Sequence, residues 1–170
     1  MGQNQRAAIQ MSDEEVATFL EQQRSATIAT VGPSGMPHLV AMWYACIDGQ
    51  VWIETKAKSQ KVVNLRRNDQ FSFLVEDGFT YDQLRGVSLE GRGVVLDDAE
   101  ALWNVGVSVF ERYTAPYTEE LRPFVEAMIH NRVVVRLDVE RVRSWDHRKL
   151  GMSAMPVGGS TAAFLTSPTG

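Results

Sequence analysis

The chain lacks most of the features that announce a reaction. It has one cysteine, Cys46, which excludes an internal disulfide framework and any thiol-rich metal site. Cys46 sits in an apolar run and reads as a buried structural thiol. The three histidines, His38, His130 and His147, lie far apart, and their spacing carries no metal signature. Gly-x-Ser-x-Gly, His-Glu-x-x-His, the Walker loop and the Rossmann glycine fingerprint are all missing. Asp146-His147 has the form of an orienting pair, a signal too common to carry an assignment alone. No apolar run is long enough to span a bilayer. Residues 1–10 are polar, without the apolar block of a signal peptide. The expected setting is the cytoplasm, with no membrane partner. A net charge of −4 argues against broad nucleic-acid binding.

What is present is an ordinary globular composition: 170 residues, 44% hydrophobic and 22% charged, enough for one domain with a real core. Residues 1–11 and 151–170 read as flexible tails around a domain at 12–150, the second tail being rich in Gly, Ser, Thr, Pro and Ala. Ser12-Asp13-Glu14-Glu15 is a capping box. The helix it opens carries Val16, Phe19 and Leu20 at helical spacing and ends near Gln23. Strands are then expected at 25–31, 37–47, 51–55, 70–76 and 87–96, with a turn at 32–35 and an Asp48-Gly49 hairpin. Gly91 and Gly93 read as a bend or bulge. Helices follow at 99–112 and 118–129, then a strongly apolar strand at 132–139, with 142–146 as an extension of the sheet. Hairpins in succession with helices at the start and between late strands predict an antiparallel barrel with helices packed outside.

The most informative stretch is residues 55–68. It carries Lys56, Lys58, Lys61, Arg66 and Arg67 and no acid, in an acidic chain. It follows a strand and opens a short helix, with Ser59 in position to cap it. Free amides at a helix start attract anions, and added lysines make the spot a phosphate cradle. A solvated basic helix face is the other reading. A barrel with an anion cradle and no evident acid–base machinery fits a protein whose chemistry belongs to a bound, phosphorylated cofactor.

In order along the chain, residues 27–30 (Thr-Ile-Ala-Thr), 35–38 (Gly-Met-Pro-His), 51–55 (Val-Trp-Ile-Glu-Thr), 59–68 (Ser-Gln-Lys-Val-Val-Asn-Leu-Arg-Arg-Asn) and 90–93 (Glu-Gly-Arg-Gly) resemble the pyridoxamine-phosphate-oxidase-like split β-barrel superfamily. Within it they are most similar to the actinobacterial branch of flavin- and deazaflavin-dependent oxidoreductases. The resemblance covers residues 12–148. It implies a homodimer of six-stranded antiparallel Greek-key split barrels, mainly β with flanking helices, and a cofactor groove at the dimer interface. By the same resemblance Lys61 matches the phosphate lysine, and Ser59 and Thr55 match hydroxyl residues beside it. Leu39, Val40, Ala41, Met42 and Trp43 match the strand flanking the ring, Ile53 and Glu54 line the next strand, and Arg85 reaches toward the partner's site. Gln60 stands where true pyridoxamine phosphate oxidases carry arginine, and Gly86 where they carry glutamine. Their C-terminal arginine–histidine motif has no clear match, although Arg143 and His147 lie nearby. Vitamin B6 oxidation is therefore not expected.

The branch resemblance implies coenzyme F420, with FMN as the alternative, and hydride transfer to a small substrate with an activated double bond. Lys56 and Lys58 suit the polyanionic tail of F420, or serve solubility alone. The proton comes from solvent or from a donor such as Tyr44. Trp43, Trp52 and Trp103 either shape an apolar pocket or pack the core. A non-catalytic flavin, deazaflavin or haem carrier on the same barrel is the reading of a different class.

Overall fold

The computed structural model describes residues 5–159. The parts of the expected tails at 1–4 and 160–170 lie outside the described residues. The elements are α1 (Gln5–Ala8), α2 (Asp13–Gln22), β1 (Ala26–Val31), β2 (Pro37–Met42), β3 (Ala45–Ile47), β4 (Gln50–Lys56), α3 (Gln60–Arg67), β5 (Gln70–Asp77), β6 (Arg85–Leu96), α4 (Ala99–Tyr113), α5 (Arg122–Ile129) and β7 (Arg132–Asp146), with single 3₁₀ turns at Glu119–Leu121 and His147–Leu150. No helix among the described residues is long and apolar enough to cross a membrane.

All the strands belong to one curled antiparallel sheet in the order β2-β1-β5-β6-β7-β4-β3. The single strand expected at 37–47 is divided. Its first half borders β1 and its second half borders β4, so the two edge strands of the sheet are separated in the chain only by Trp43 and Tyr44. Among the described residues no ladder joins them, and the sheet there has seven strands where six were expected. The fold is a split, mainly β barrel with flanking helices.

Alternation builds the barrel core. Ala26 and Ile28 of β1, Phe71, Phe73 and Val75 of β5, and Val87 and Leu89 of β6 all point inward. Each of the larger side chains among these contributes about 1.5–3 kcal/mol of transfer free energy when fully buried. The Tyr44 ring enters the same core and meets Phe73 edge-on at 5.5 Å. The apolar run at the start of β7 has a different cause. Val135 and Leu137 face the barrel, while Val134 packs outward against Val105 and Val109 of α4. A strand covered on both sides loses alternation.

The turns follow the local chemistry. Asp48 and Gly49 both take positive φ, 51° and 74°, as a two-residue hairpin of this hand requires. The bulge expected at Gly91 lies between Glu90 and Gly91 in register, and the extra residue, Glu140, is on the partner strand. A Cβ on Gly91 would fall 2.0 Å from the Asp138 carbonyl oxygen, so only glycine admits this approach. β7 consequently runs unbroken through both segments foreseen for it.

At the start of the chain, the Asp146 amide donates to the Ile9 carbonyl at 2.7 Å and the Met11 amide to the Ser144 hydroxyl at 3.1 Å. The stretch read as tail thus contains a helical turn and a docked segment. The capping box is formed: Ser12 Oγ accepts from the Glu15 amide, and a Glu15 carboxylate oxygen accepts from the Ser12 amide. Pro123 lies in the first turn of α5, preceded by the 3₁₀ turn, so the helix foreseen at 118–129 is shorter than its pattern.

Candidate functional site

The basic segment folds as a tight turn leading into α3. The Ser59 amide donates to the Lys56 carbonyl at 2.9 Å, and the Ala57 amide to the Asn131 carbonyl at 3.0 Å. Val62, Asn64 and Leu65 anchor α3 to the barrel. Lys61 lies one turn before Leu65 and is carried inward with it, to 8% exposure. Its Nζ donates to Thr55 Oγ1 at 3.0 Å, the one protein hydrogen bond it has among the described residues. An ammonium has three donors, so a buried one with a single partner is under-coordinated. Burial first, and the Arg132 charge second, hold its pKa below the ordinary lysine value.

Ser59 occupies the N-cap position with extended backbone, but its side chain does not cap α3 as expected. The hydroxyl lies instead 3.4 Å from Thr55 Oγ1. The helix start is left without a side-chain acceptor, beside three polar side chains, Thr55, Ser59 and Lys61. This arrangement suits an anion with several oxygens.

Beside this cradle, Ala41, Met42, Trp43 and Glu54 come together with Ser25, Met128 and Arg132 around a recess of about 350 Å³. Glu54 is 7% exposed, and its carboxyl pKa is raised by burial against the lowering pull of Arg132. Arg132 Nε lies 3.2 Å from Glu54 Oε2, yet the two are misaligned for a hydrogen bond and neither atom has another partner. Trp43, 55% exposed, stacks on Tyr113 with centroids 4.5 Å apart and planes nearly parallel, which stiffens that wall. The under-bonded cations and the apolar wall fit a flat molecule that carries a phosphoryl or carboxylate group.

Not every candidate joins this site. Ile53 points into the barrel core and is fully buried. Val40 packs partly against that core, and Leu39 faces a second, larger recess on the outer side of the sheet. Lys56 and Lys58 are exposed at the turn, and the exposed Gln60 donates to Asn64 Oδ1 at 2.9 Å. Arg85 lies elsewhere in this protomer, bonded to Asp77 at 2.6 Å and set over the Phe19 ring. Gly86 is explained by Trp145: a Cβ there would meet the indole at 2.3 Å, so the glutamine of true pyridoxamine phosphate oxidases has no room.

Tyr44 is not available as a proton donor. Its hydroxyl is buried, donates to the Leu20 carbonyl at 2.7 Å, and is held above the ordinary tyrosine pKa by desolvation. Asp146 and His147 do not pair: Asp146 accepts from Arg148, while His147 Nδ1 lies 2.8 Å from the Tyr81 carbonyl oxygen. Trp52 packs in the second core cluster, and Trp103 meets Tyr117 edge-on, so Trp43 is the tryptophan of the recess. Sequence reasoning missed Arg132. It opens β7, far along the chain from Glu54 and Lys61, and no spacing rule connects them.

Comparison with known proteins bears out the fold class. Residues 12–146 match the pyridoxamine 5'-phosphate oxidase family. An F420H(2)-dependent biliverdin reductase of Mycobacterium tuberculosis is 31% identical over 122 residues, covering 70% of this chain and 84% of the relative. The crystal structure of a conserved hypothetical protein from Mycobacterium tuberculosis superposes with a TM-score of 0.90 at 61% identity, covering 92% of this chain and 98% of that one. An F420 reductase structure has a TM-score of 0.58 at 24% identity, covering 74% of this chain and 93% of its own, a likeness of fold. With its curled sheet, its lysine-bearing turn and a match that spans most of its length, this chain belongs to the pyridoxamine 5'-phosphate oxidase family.

Proposed function

We propose that the chain is an F420-dependent reductase acting on a small organic substrate with an activated double bond. One observation carries the reading: Lys61 is a buried ammonium at an uncapped helix start with a single protein hydrogen bond. That is a seat for a phosphoryl oxygen, and a relative 31% identical is an F420H(2)-dependent reductase. When bound, the reduced coenzyme supplies the hydride. The protein supplies position: Thr55, Ser59 and Lys61 hold the phosphoryl end, while Ala41, Met42 and Trp43 flank the ring and exclude water.

FMN also carries one phosphate. Lys56 and Lys58 favour the longer anionic tail of F420, since both are exposed and neither joins an ion pair among the described residues. Each exposed contact with that tail adds about 0.2–1 kcal/mol. The reading includes a homodimer, for which the exposed Leu39, Leu74 and Val142 around an outer recess of about 910 Å³ are the support.

Fluorescence titration of the purified protein with F420 and with FMN tests the assignment. Tight binding of F420 and weaker binding of FMN are expected. A protein indifferent to both is not a reductase of this kind. Light scattering tests the dimer, and a tightly binding monomer would remove the interface from the site.

A further inference from the structure

Three arginine–aspartate pairs show how this chain builds a structural ion pair. Arg148 reaches Asp146 with Nε at 2.8 Å and Nη2 at 2.6 Å. Arg136 reaches Asp138 with the same two atoms at 2.6 and 3.0 Å. Arg85 sends both to one oxygen of Asp77, at 3.0 and 2.6 Å. Arg132 and Glu54 break the pattern. Their facing atoms, Arg132 Nε and Glu54 Oε2, are buried and 3.2 Å apart but misaligned, so the pair is one poorly directed ion contact and not a fork. Such a pair bears the desolvation cost of its charges without the return that a forked bond gives.

The backbone places Arg132 independently of Glu54. Arg132 stands opposite Lys56 in the β4–β7 ladder. The residue before it, Asn131, takes a left-handed backbone (φ 58°), and its carbonyl accepts from Ala57. Arg132 is thereby rooted at the foot of the basic turn, on the rim of the recess walled by Met42, Trp43 and Met128. Glu54 is the acid facing it there, in the lining of the same recess.

We infer that Arg132 is a second anion-binding residue of this site and that Glu54 is a placeholder, displaced from the guanidinium by a phosphoryl or carboxylate oxygen of the ligand. The inference rests on the coenzyme reading only for the identity of that ligand. It separates two roles that a structural pair would not separate. Neutralising Glu54 removes a competitor and a repelling charge, so anions bind more tightly. Neutralising Arg132 removes the seat.

The test is calorimetric titration of the full chain with inorganic pyrophosphate and, in parallel, with tri-γ-glutamate. Glu54→Gln should tighten binding at least threefold and Arg132→Met should weaken it at least fivefold, with the double variant following Arg132→Met. Loss confined to pyrophosphate assigns a phosphoryl oxygen, and loss confined to the glutamate peptide assigns a carboxylate. Melting curves without ligand establish that each variant is folded; should Arg132→Met fail to fold, Arg132→Lys and Glu54→Gln must still move affinity in opposite directions. The inference is overturned if Glu54→Gln binds no more tightly than the wild type, or if the arginine variant binds as well as it. Should wild type ignore F420 and FMN while these variants keep their order with pyrophosphate, the redox reading falls and the anion seat stands.

Discussion

Two polar clusters in this molecule use similar residues to opposite ends. At the junction of β2 and β3, Arg112 donates to the Leu20 carbonyl at 2.6 Å, to the Gln23 carbonyl and to Glu21, and its guanidinium lies 4.6 Å over the Tyr44 ring. The Tyr44 hydroxyl takes the same Leu20 carbonyl, and the Tyr113 hydroxyl both accepts from the Tyr44 amide and donates to its carbonyl. This cluster closes the C-terminal end of α2, where unpaired carbonyls need donors. At the basic turn, by contrast, among the described residues Lys61 has one bond, Ser59 does not cap, and Glu54 and Arg132 meet through one misaligned 3.2 Å contact. A polar group whose partners are all protein contributes to the fold. Arg112 keeps that role although its buried Nε is unpaired among the described residues, because three other acceptors hold it; a charged group with a single partner is open to a ligand.

Substitutions on the two sides should separate stability from binding. The largest effect belongs to the first cluster: Tyr44→Ala removes a fully buried ring and should cost about 3–5 kcal/mol in urea unfolding. Next, Lys61→Ala should weaken F420 binding by about 1.5–3 kcal/mol, the worth of a hydrogen bond to a charge, while unfolding shows no comparable loss. If Lys61→Ala destabilised the protein as much as Tyr44→Ala, the contrast between the clusters would be void.

A pH series sharpens the same point. The Lys61 pKa is lowered in the folded state from an ordinary value of 10.5. Below the lowered value the group is charged both folded and unfolded, and the cost of burying that charge is fully present. Between the lowered value and 10.5 the unfolded chain binds more protons, so stability rises with pH, and above it the cost is gone. Lys61→Met should therefore be more stable than wild type at neutral pH, with a margin that shrinks as pH rises through that window. A margin that widens with pH contradicts the burial argument. The smallest effect separates the two serines. Ser12→Ala removes a formed capping box and should cost about 1 kcal/mol. Ser59→Ala removes no cap and should stay within about 0.5 kcal/mol, by the same denaturant measurement.

Much of the frame was legible because it is local. The Ser12 box, the Asp48-Gly49 hairpin and the alternation of β5 each depend on neighbours within a few residues. The lysine-bearing turn was legible for the same reason, as charge density in one segment. What escaped depends on distant parts of the chain. The division of the strand at Trp43 and Tyr44 follows from where β1 and β4 end up, and the run of apolar residues from 39 to 47 is silent about it. Tyr44 reads as an available hydroxyl until Leu20 is seen to hold it. Arg132 reads as the polar start of an apolar strand until the ladder sets it across from Lys56.

The two border strands of the sheet are leashed to each other by a pair of residues, Trp43 and Tyr44. A leash that short forbids the sheet from flattening, so curvature here is a property of connectivity as much as of strand twist. Its consequence is mechanical: any motion that lifts one border must drag the other, and the recess lined by Ala41, Met42 and Trp43 widens or narrows only as the whole seam breathes.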